Sequence, residues 1–138
     1  MTTVADVMNS DPVAIEATSP VTVAAQLMKE HRIGMLPVVR DGVVVGVVTD
    51  RDLVLRVMAT GSGAAATLAG EVASDRVVSV APETPLDEVE LLIEDRRVRR
   101  MPVVSEGKLV GVVSQSDIAR VSPHASPHML EGPQVWLE

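Results

Sequence analysis

The chain has 138 residues, a formal net charge of −7 and no cysteine, which excludes disulfides, thiolate nucleophiles and cysteine metal sites. An acidic chain lacks the basic face that binds nucleic acid, so we expect no nucleic-acid partner. No apolar run approaches the roughly 20 residues of a membrane helix. The N-terminus also lacks the basic and apolar regions of a signal peptide, so we expect a cytoplasmic protein that does not associate with membranes.

The composition predicts an aliphatic core. Apolar residues make up 46% of the chain, yet there is no Phe or Tyr and only one Trp. Val, Leu, Ile, Met and Ala must therefore fill the interior, and such a β-branched composition suits strands.

The chain repeats itself at an offset of 65 residues, so that "GVVTDRDLV" from Gly46 has a counterpart in "GVVSQSDIA" from Gly111. Residues 2–56 align with residues 67–121 without a gap, at about fifteen identical positions. A register kept over that length indicates duplication of one supersecondary unit.

In chain order, each copy begins with a single helical turn, "TVADVM" or "LAGEVA". A short strand is predicted next, at 13–15 and at 77–80. Pro20 and Pro85 then stand where a first helical turn tolerates proline, ahead of apolar residues at helical spacing.

Each copy ends in a predicted hairpin and a closing helix. The sequence "MLPVVRDGVVVGVVTD" reads as two strands around an Asp-Gly turn, and "MPVVSEGKLVGVVS" repeats it with Glu-Gly. The closing helix is predicted to start at Asp52 and Asp117 or just before. The predicted order in each copy is β-α-β-β-α.

These patterns divide the chain into two repeats, 2–58 and 67–121, a small flexible linker at 59–66, and a C-terminal tail at 122–138. The tail contains two histidines four residues apart, His124 and His128, but Pro127 breaks the helix that a metal pair would need. We therefore predict no metal site and no catalytic residues.

The doubled "PVV…G…VGVV" hairpins followed by Ser/Thr-x-x-Asp resemble a tandem pair of cystathionine β-synthase (CBS) domains, a Bateman module. The resemblance implies an α+β fold in which two β-α-β-β-α repeats pack sheet to sheet with pseudo-two-fold symmetry. It also implies regulatory binding of AMP, ADP, ATP or S-adenosylmethionine in the cleft between repeats. A homodimer and an unidentified effector protein would be the partners, with no cofactor required.

The resemblance implies that Asp52 and Asp117 accept hydrogen bonds from ribose hydroxyls, with Thr49 and Ser114 adding a contact to ribose or phosphate. An ionised carboxylate has two acceptor oxygens, which match a vicinal diol. The same residues also form a helix-capping pattern that needs no ligand. Both interpretations stay open.

A run of arginines precedes the second Pro-Val-Val strand. The resemblance places phosphate-binding residues at Arg99 and Arg100, where the first repeat has Gly34 and Met35. Guanidinium groups match phosphate oxygens, and Arg51 is a third candidate. The alternative is a solvated helix end whose cations complement the helix dipole.

The adenine would need an apolar slot. By analogy with the family, its walls are Val13 and Ile33 in the first repeat and Val78 and Val98 in the second. The alternative for each is an ordinary core position. The sequence thus supports two hypotheses, a sensor of an adenosine-containing ligand and a ligand-free structural or protein-interaction module.

Overall fold

The structure is a computed structural model that describes residues 1–121. Its helices and strands are, in chain order, α1 (Val4–Val7), β1 (Ile15–Glu16), α2 (Val21–His31), β2 (Met35–Arg40), β3 (Val43–Thr49), α3 (Asp50–Leu53), α4 (Ala69–Val72), α5 (Leu86–Arg96), β4 (Arg100–Ser105), β5 (Lys108–Ser114) and α6 (Gln115–Ala119). A π-helical segment at Val54–Met58 continues α3. The tail at 122–138, with His124 and His128, lies outside the described residues.

The described chain forms two compact units whose boundaries differ from those of the sequence repeat. The central unit is Val13–Val77, and the discontinuous unit combines Met1–Pro12 with residues 78–121. The opening turn of each repeat therefore packs in the unit that holds the strands of the other repeat.

Backbone hydrogen bonds hold α1 in the discontinuous unit. The N–H of Val4 donates to the carbonyl of Thr84 over 2.9 Å. Beyond the helix, Asn9 and Val112 exchange two N–H···O bonds of 2.9 and 3.0 Å. The segment after α1 thus adds a short bridge to β5.

The corresponding segment around α4 is held in the central unit. The N–H of Gly70 donates to the carbonyl of Ala17 over 2.9 Å, and Ser74 exchanges two bonds of 2.8 and 3.0 Å with Val47 on β3. Gly46 has no room for a side chain here, because an added Cβ would lie 2.7 Å from the Ser74 oxygen, and one on Gly70 would make a tight contact of 3.1 Å with Ala17.

The predicted hairpins are confirmed. β2 pairs antiparallel with β3, and β4 with β5. Asp41 and Gly42 have φ values of 54° and 80°, and Glu106 and Gly107 have 53° and 80°. Positive φ at both central residues is the conformation of the tight hairpin turns for which Asp-Gly is typical.

The first strand differs between the copies. Ile15–Glu16 pairs parallel with β2, and the N–H of Ala17 extends the pairing to the Val39 carbonyl. In the second copy the predicted strand at 77–80 is reduced to a single bridge between Val80 and Val103. The reason is that Pro82 replaces Ala17 and has no N–H to donate.

Each unit has its own aliphatic core. Leu36, Val38 and Val48 are fully buried in the central unit, as are their repeat counterparts Met101, Val103 and Val113 in the discontinuous unit. One face of α2 or α5 covers each core, as the helical spacing predicts.

Candidate functional site

Thr49 and Asp52 form a reciprocal cap at the start of α3. The Thr49 hydroxyl accepts from the Asp52 N–H over 3.1 Å, and Asp52 Oδ2 accepts from the Thr49 N–H over 2.9 Å. The pattern satisfies two backbone donors at once, as a capping box does. The capping interpretation of this motif is therefore confirmed.

Ser114 and Asp117 repeat this geometry at α6, with distances of 2.9 and 3.1 Å. The Ser114 hydroxyl also lies 3.0 Å from that of Ser116. Ser114 is the one buried polar residue of the described chain, with 5% of its surface exposed. Its hydroxyl is thus already occupied by two protein partners.

The other carboxylate oxygen of each aspartate has only a loose partner. Asp52 Oδ1 lies 3.7 Å from Arg56 Nε, and Asp117 Oδ1 lies 3.6 Å from an Arg120 guanidinium nitrogen. These separations exceed the roughly 2.7–2.9 Å of a strong charge-assisted bond. Both arginines are mostly exposed, so the pairs are weak and Oδ1 can accept from another donor.

Arg56 and Arg120 were not among the predicted site residues. A signal was present, because they stand four and three residues after Asp52 and Asp117 on the closing helices. At that spacing side chains on a helix lie on the same face.

The strand register brings the predicted phosphate-binding arginines to the second motif. Arg100 lies opposite Ser114 in the β4–β5 pair. The Gln115 N–H donates to the Arg99 carbonyl over 2.8 Å, which ties the residue before β4 to the start of α6. Met35 and Gly34 have the same positions relative to Thr49 and Asp50 in the central unit.

One guanidinium nitrogen of Arg99 has an unusual environment. Arg99 Nη1 is buried and has no hydrogen-bond partner in the described part of the chain. A buried, unpaired donor of a cationic group is costly, by about 1–3 kcal/mol or more. A bound anion would remove that cost.

The remaining predicted polar residue, Arg51, is exposed on α3, next to the motif in sequence. Arg96 is paired with its neighbour Asp95 at 3.3 Å, and Arg97 ends α5 with a φ of 54°. Arg96 and Arg97, the first two arginines of the run before β4, thus belong to the end of α5.

The four predicted adenine-wall residues are half-buried. Val13 and Ile33 pack against the core of the central unit, and Val78 and Val98 against that of the discontinuous unit. Each unit therefore contains one pair of half-buried aliphatic side chains and one Ser/Thr-x-x-Asp cap.

Residues 1–121 contain neither a cluster of metal-binding side chains nor a helix that could span a membrane. No group of three or more His, Asp or Glu side chains is arranged there to hold a metal ion. None of the helices in this range is long and apolar enough to cross a bilayer.

Comparison with known proteins relates this chain to proteins with CBS domains. The family model described as "CBS domain" matches the chain at residues 4–59 and again at 69–124. Hypoxic response protein 1 of Mycobacterium tuberculosis is 40% identical over 124 residues, which are 89% of this chain and 87% of the relative.

Solved structures of CBS-domain proteins are also similar to this chain. A crystal structure of hypoxic response protein I with two coordinated zinc ions is similar with a TM-score of 0.78 at 40% identity, covering 87% of this chain and 98% of the other. A CBS domain pair solved in complex with 5′-methylthioadenosine and S-adenosyl-L-methionine has a TM-score of 0.75 at 25% identity, covering 88% and 95% of the two chains.

Proposed function

This chain belongs to the CBS-domain family, whose model matches it twice, and on that premise we propose that it is a regulatory module that binds an adenosine-containing ligand. AMP, ADP, ATP and S-adenosylmethionine are the candidates. A similar CBS pair was solved with S-adenosyl-L-methionine and 5′-methylthioadenosine, which supports this ligand class. The role is binding and not catalysis.

The observation that carries the proposal is the buried, unpartnered Nη1 of Arg99. A phosphate oxygen, or the carboxylate of S-adenosylmethionine, would accept from this nitrogen. The backbone carbonyl of Arg99 accepts from the Gln115 N–H at the start of α6, and we therefore expect the anion to bind on the side of the Ser114–Asp117 cap.

The capping geometry is compatible with ribose binding. The cap uses only Oδ2 of each aspartate, while the loose arginine contact leaves Oδ1 able to accept from a ribose hydroxyl. A half-buried aliphatic pair in each unit would contact the base. The Ser/Thr-x-x-Asp motif occurs in both units. The discontinuous unit also has Arg99 and Arg100, where the central unit has Gly34 and Met35. We therefore expect the Asp117 copy to bind more tightly.

A second candidate is the ligand-free interaction module. Its support is that Thr49, Asp52, Ser114 and Asp117 already have protein hydrogen-bond partners.

Calorimetric titration of the four ligands separates the two candidates. An Asn side chain at position 117 retains one acceptor oxygen for the Ser114 N–H but replaces the second oxygen with a donor. Asp117→Asn should therefore preserve folding and weaken binding at least tenfold. Arg99→Gln should do the same, while Arg96→Gln, at the exposed helix end, should bind as the wild type does. If none of the four ligands binds the wild-type chain, the interaction module is the better description.

The proposal also includes self-association as a homodimer that signals to an effector protein. The π-helical segment exposes three large apolar side chains, with Val54 51%, Leu55 49% and Met58 75% exposed. A cluster of this kind is typical of a protein contact surface. Sedimentation velocity of the wild type and of Met58→Gln would test it, since a dimer built on this segment should dissociate more readily in the variant.

A further inference from the structure

A second cationic feature lies in the central unit, away from the predicted arginines of the other unit. It is an open groove of about 720 Å³, and three of its lining residues are Arg40, Arg56 and Arg76. We call it the arginine groove. Ser74 and Asp75 also line it, and Asp75 is its only acidic residue.

The three guanidinium groups come from separate parts of the chain. Arg40 ends β2, Arg56 lies in the π-helical segment, and Arg76 follows α4. Arg56 is oriented by a bond from Nη1 to the carbonyl of Val72 over 3.1 Å. Arg40 and Arg76 are exposed, and within residues 1–121 neither forms a salt bridge.

The charge of the groove is opposite to that of the whole chain. Three arginines and one aspartate line the groove; with Asp52 counted as the loose partner of Arg56, an excess of one positive charge is left there, whereas the chain has a net charge of −7. Neighbouring like charges repel one another, so a cluster of this kind is more stable with an anion between them.

The internal repeat shows that the fold does not require these arginines. The positions equivalent to Arg40 and Arg56 are Ser105 and Val121, and the position equivalent to Arg76 is Asp11. The discontinuous unit builds the same hairpin and closing helix without a cation at any of them. A structural role in the shared fold therefore does not explain Arg40 or Arg76, whereas Arg56 also donates to the Val72 carbonyl and pairs loosely with Asp52, as Arg120 does with Asp117.

We propose that the arginine groove binds an anion with two or more phosphate groups. Guanidinium groups donate paired hydrogen bonds that match phosphate oxygens, and three of them on separate parts of the chain offer donors to more than one phosphate group. This inference can be tested separately from the proposed adenosyl site, because triphosphate bound at Arg99 would be unaffected by substitution of Arg40 or Arg76.

The test is calorimetric titration of the full chain with inorganic triphosphate and, in a separate arm, with ATP, at about 50 mM salt, where screening is modest. Arg40→Gln and Arg76→Gln remove one groove cation each. Lys29→Gln removes one exposed cation on α2 of the same unit and is the matched control. Arg56 is left unchanged because it also holds the Val72 carbonyl. Circular dichroism verifies that every variant folds.

The expected result is that each arginine variant weakens triphosphate binding about tenfold, as loss of a charged hydrogen bond does, while Lys29→Gln changes it less than twofold. A parallel loss in the ATP arm identifies a nucleotide tail as the source of the phosphates; a loss with triphosphate alone identifies a free oligophosphate. The proposal is overturned if triphosphate does not bind the wild type, if the arginine variants bind both compounds unchanged, or if Lys29→Gln weakens binding as much as they do.

Discussion

Replacement of Gly46 by alanine tests the packing of the α4 segment against β3. An added Cβ would lie 2.7 Å from the Ser74 carbonyl oxygen and 3.0 Å from the Ala73 Cβ, whereas ordinary contact begins at about 3.4 Å. The obstacle at Ser74 is backbone, which cannot rotate away as a flexible side chain can. The segment must therefore move, and the two hydrogen bonds between Ser74 and Val47 must lengthen or break.

The magnitude follows from these contacts. Overpacking of a close contact costs about 1–3 kcal/mol, and each weakened backbone hydrogen bond adds about 1 kcal/mol. With both Ser74–Val47 bonds weakened, Gly46→Ala should thus lower the free energy of unfolding by about 3–5 kcal/mol. Urea denaturation followed by far-UV circular dichroism measures this as a lower midpoint with an unchanged slope.

Gly63→Ala is the matched control, because an added Cβ there meets nothing within 4 Å and the backbone is not in the left-handed region. It should leave stability within about 1 kcal/mol of the wild type or raise it slightly. Gly111→Ala repeats the test in the other unit, where the Cβ would lie 2.8 Å from the Asn9 oxygen. If Gly46→Ala proves as stable as Gly63→Ala, the reasoning about this contact is wrong.

Three further predictions concern stability and are measured by thermal unfolding against the wild type. Thr49→Ala removes one cap acceptor and should lower the free energy of unfolding by about 1 kcal/mol. Ser114→Ala should lower it by up to about 2 kcal/mol, because Ser114 is buried. Equal losses of stability would contradict the role given to burial. Glu106→Asn should stabilise the β4–β5 hairpin by about 0.5 kcal/mol, since Asn tolerates the φ of 53° better than Glu does; a loss of stability would argue against strain at this turn. Met101→Ala should cost about 2–5 kcal/mol through the cavity it leaves in a fully buried site, and a cost below 1 kcal/mol would show that the core collapses around it.

Some of the candidate site was predictable from sequence. The Ser/Thr-x-x-Asp spacing predicts the capping boxes at Thr49 and Ser114, because a cap depends only on residues three apart. The ligand roles of Asp52, Asp117, Arg99 and Arg100 stay predictions. The arginine groove was not predictable, since its three arginines come from distant parts of the chain and converge only when β2, the π-helical segment and α4 pack together.

The sequence by itself determined the duplication, the hairpins and their turns, and the helices with their caps. All of these depend on the residue pattern within a few positions or on internal similarity, both of which a single sequence contains. Only the tertiary structure decided that each opening turn packs in the unit of the other repeat. The physical reason is that β3 and β5 carry the same Val-Gly-Val-Val sequence. Each offers the same backbone groups to a segment such as Asn9 or Ser74, and long-range packing determines which strand each segment joins.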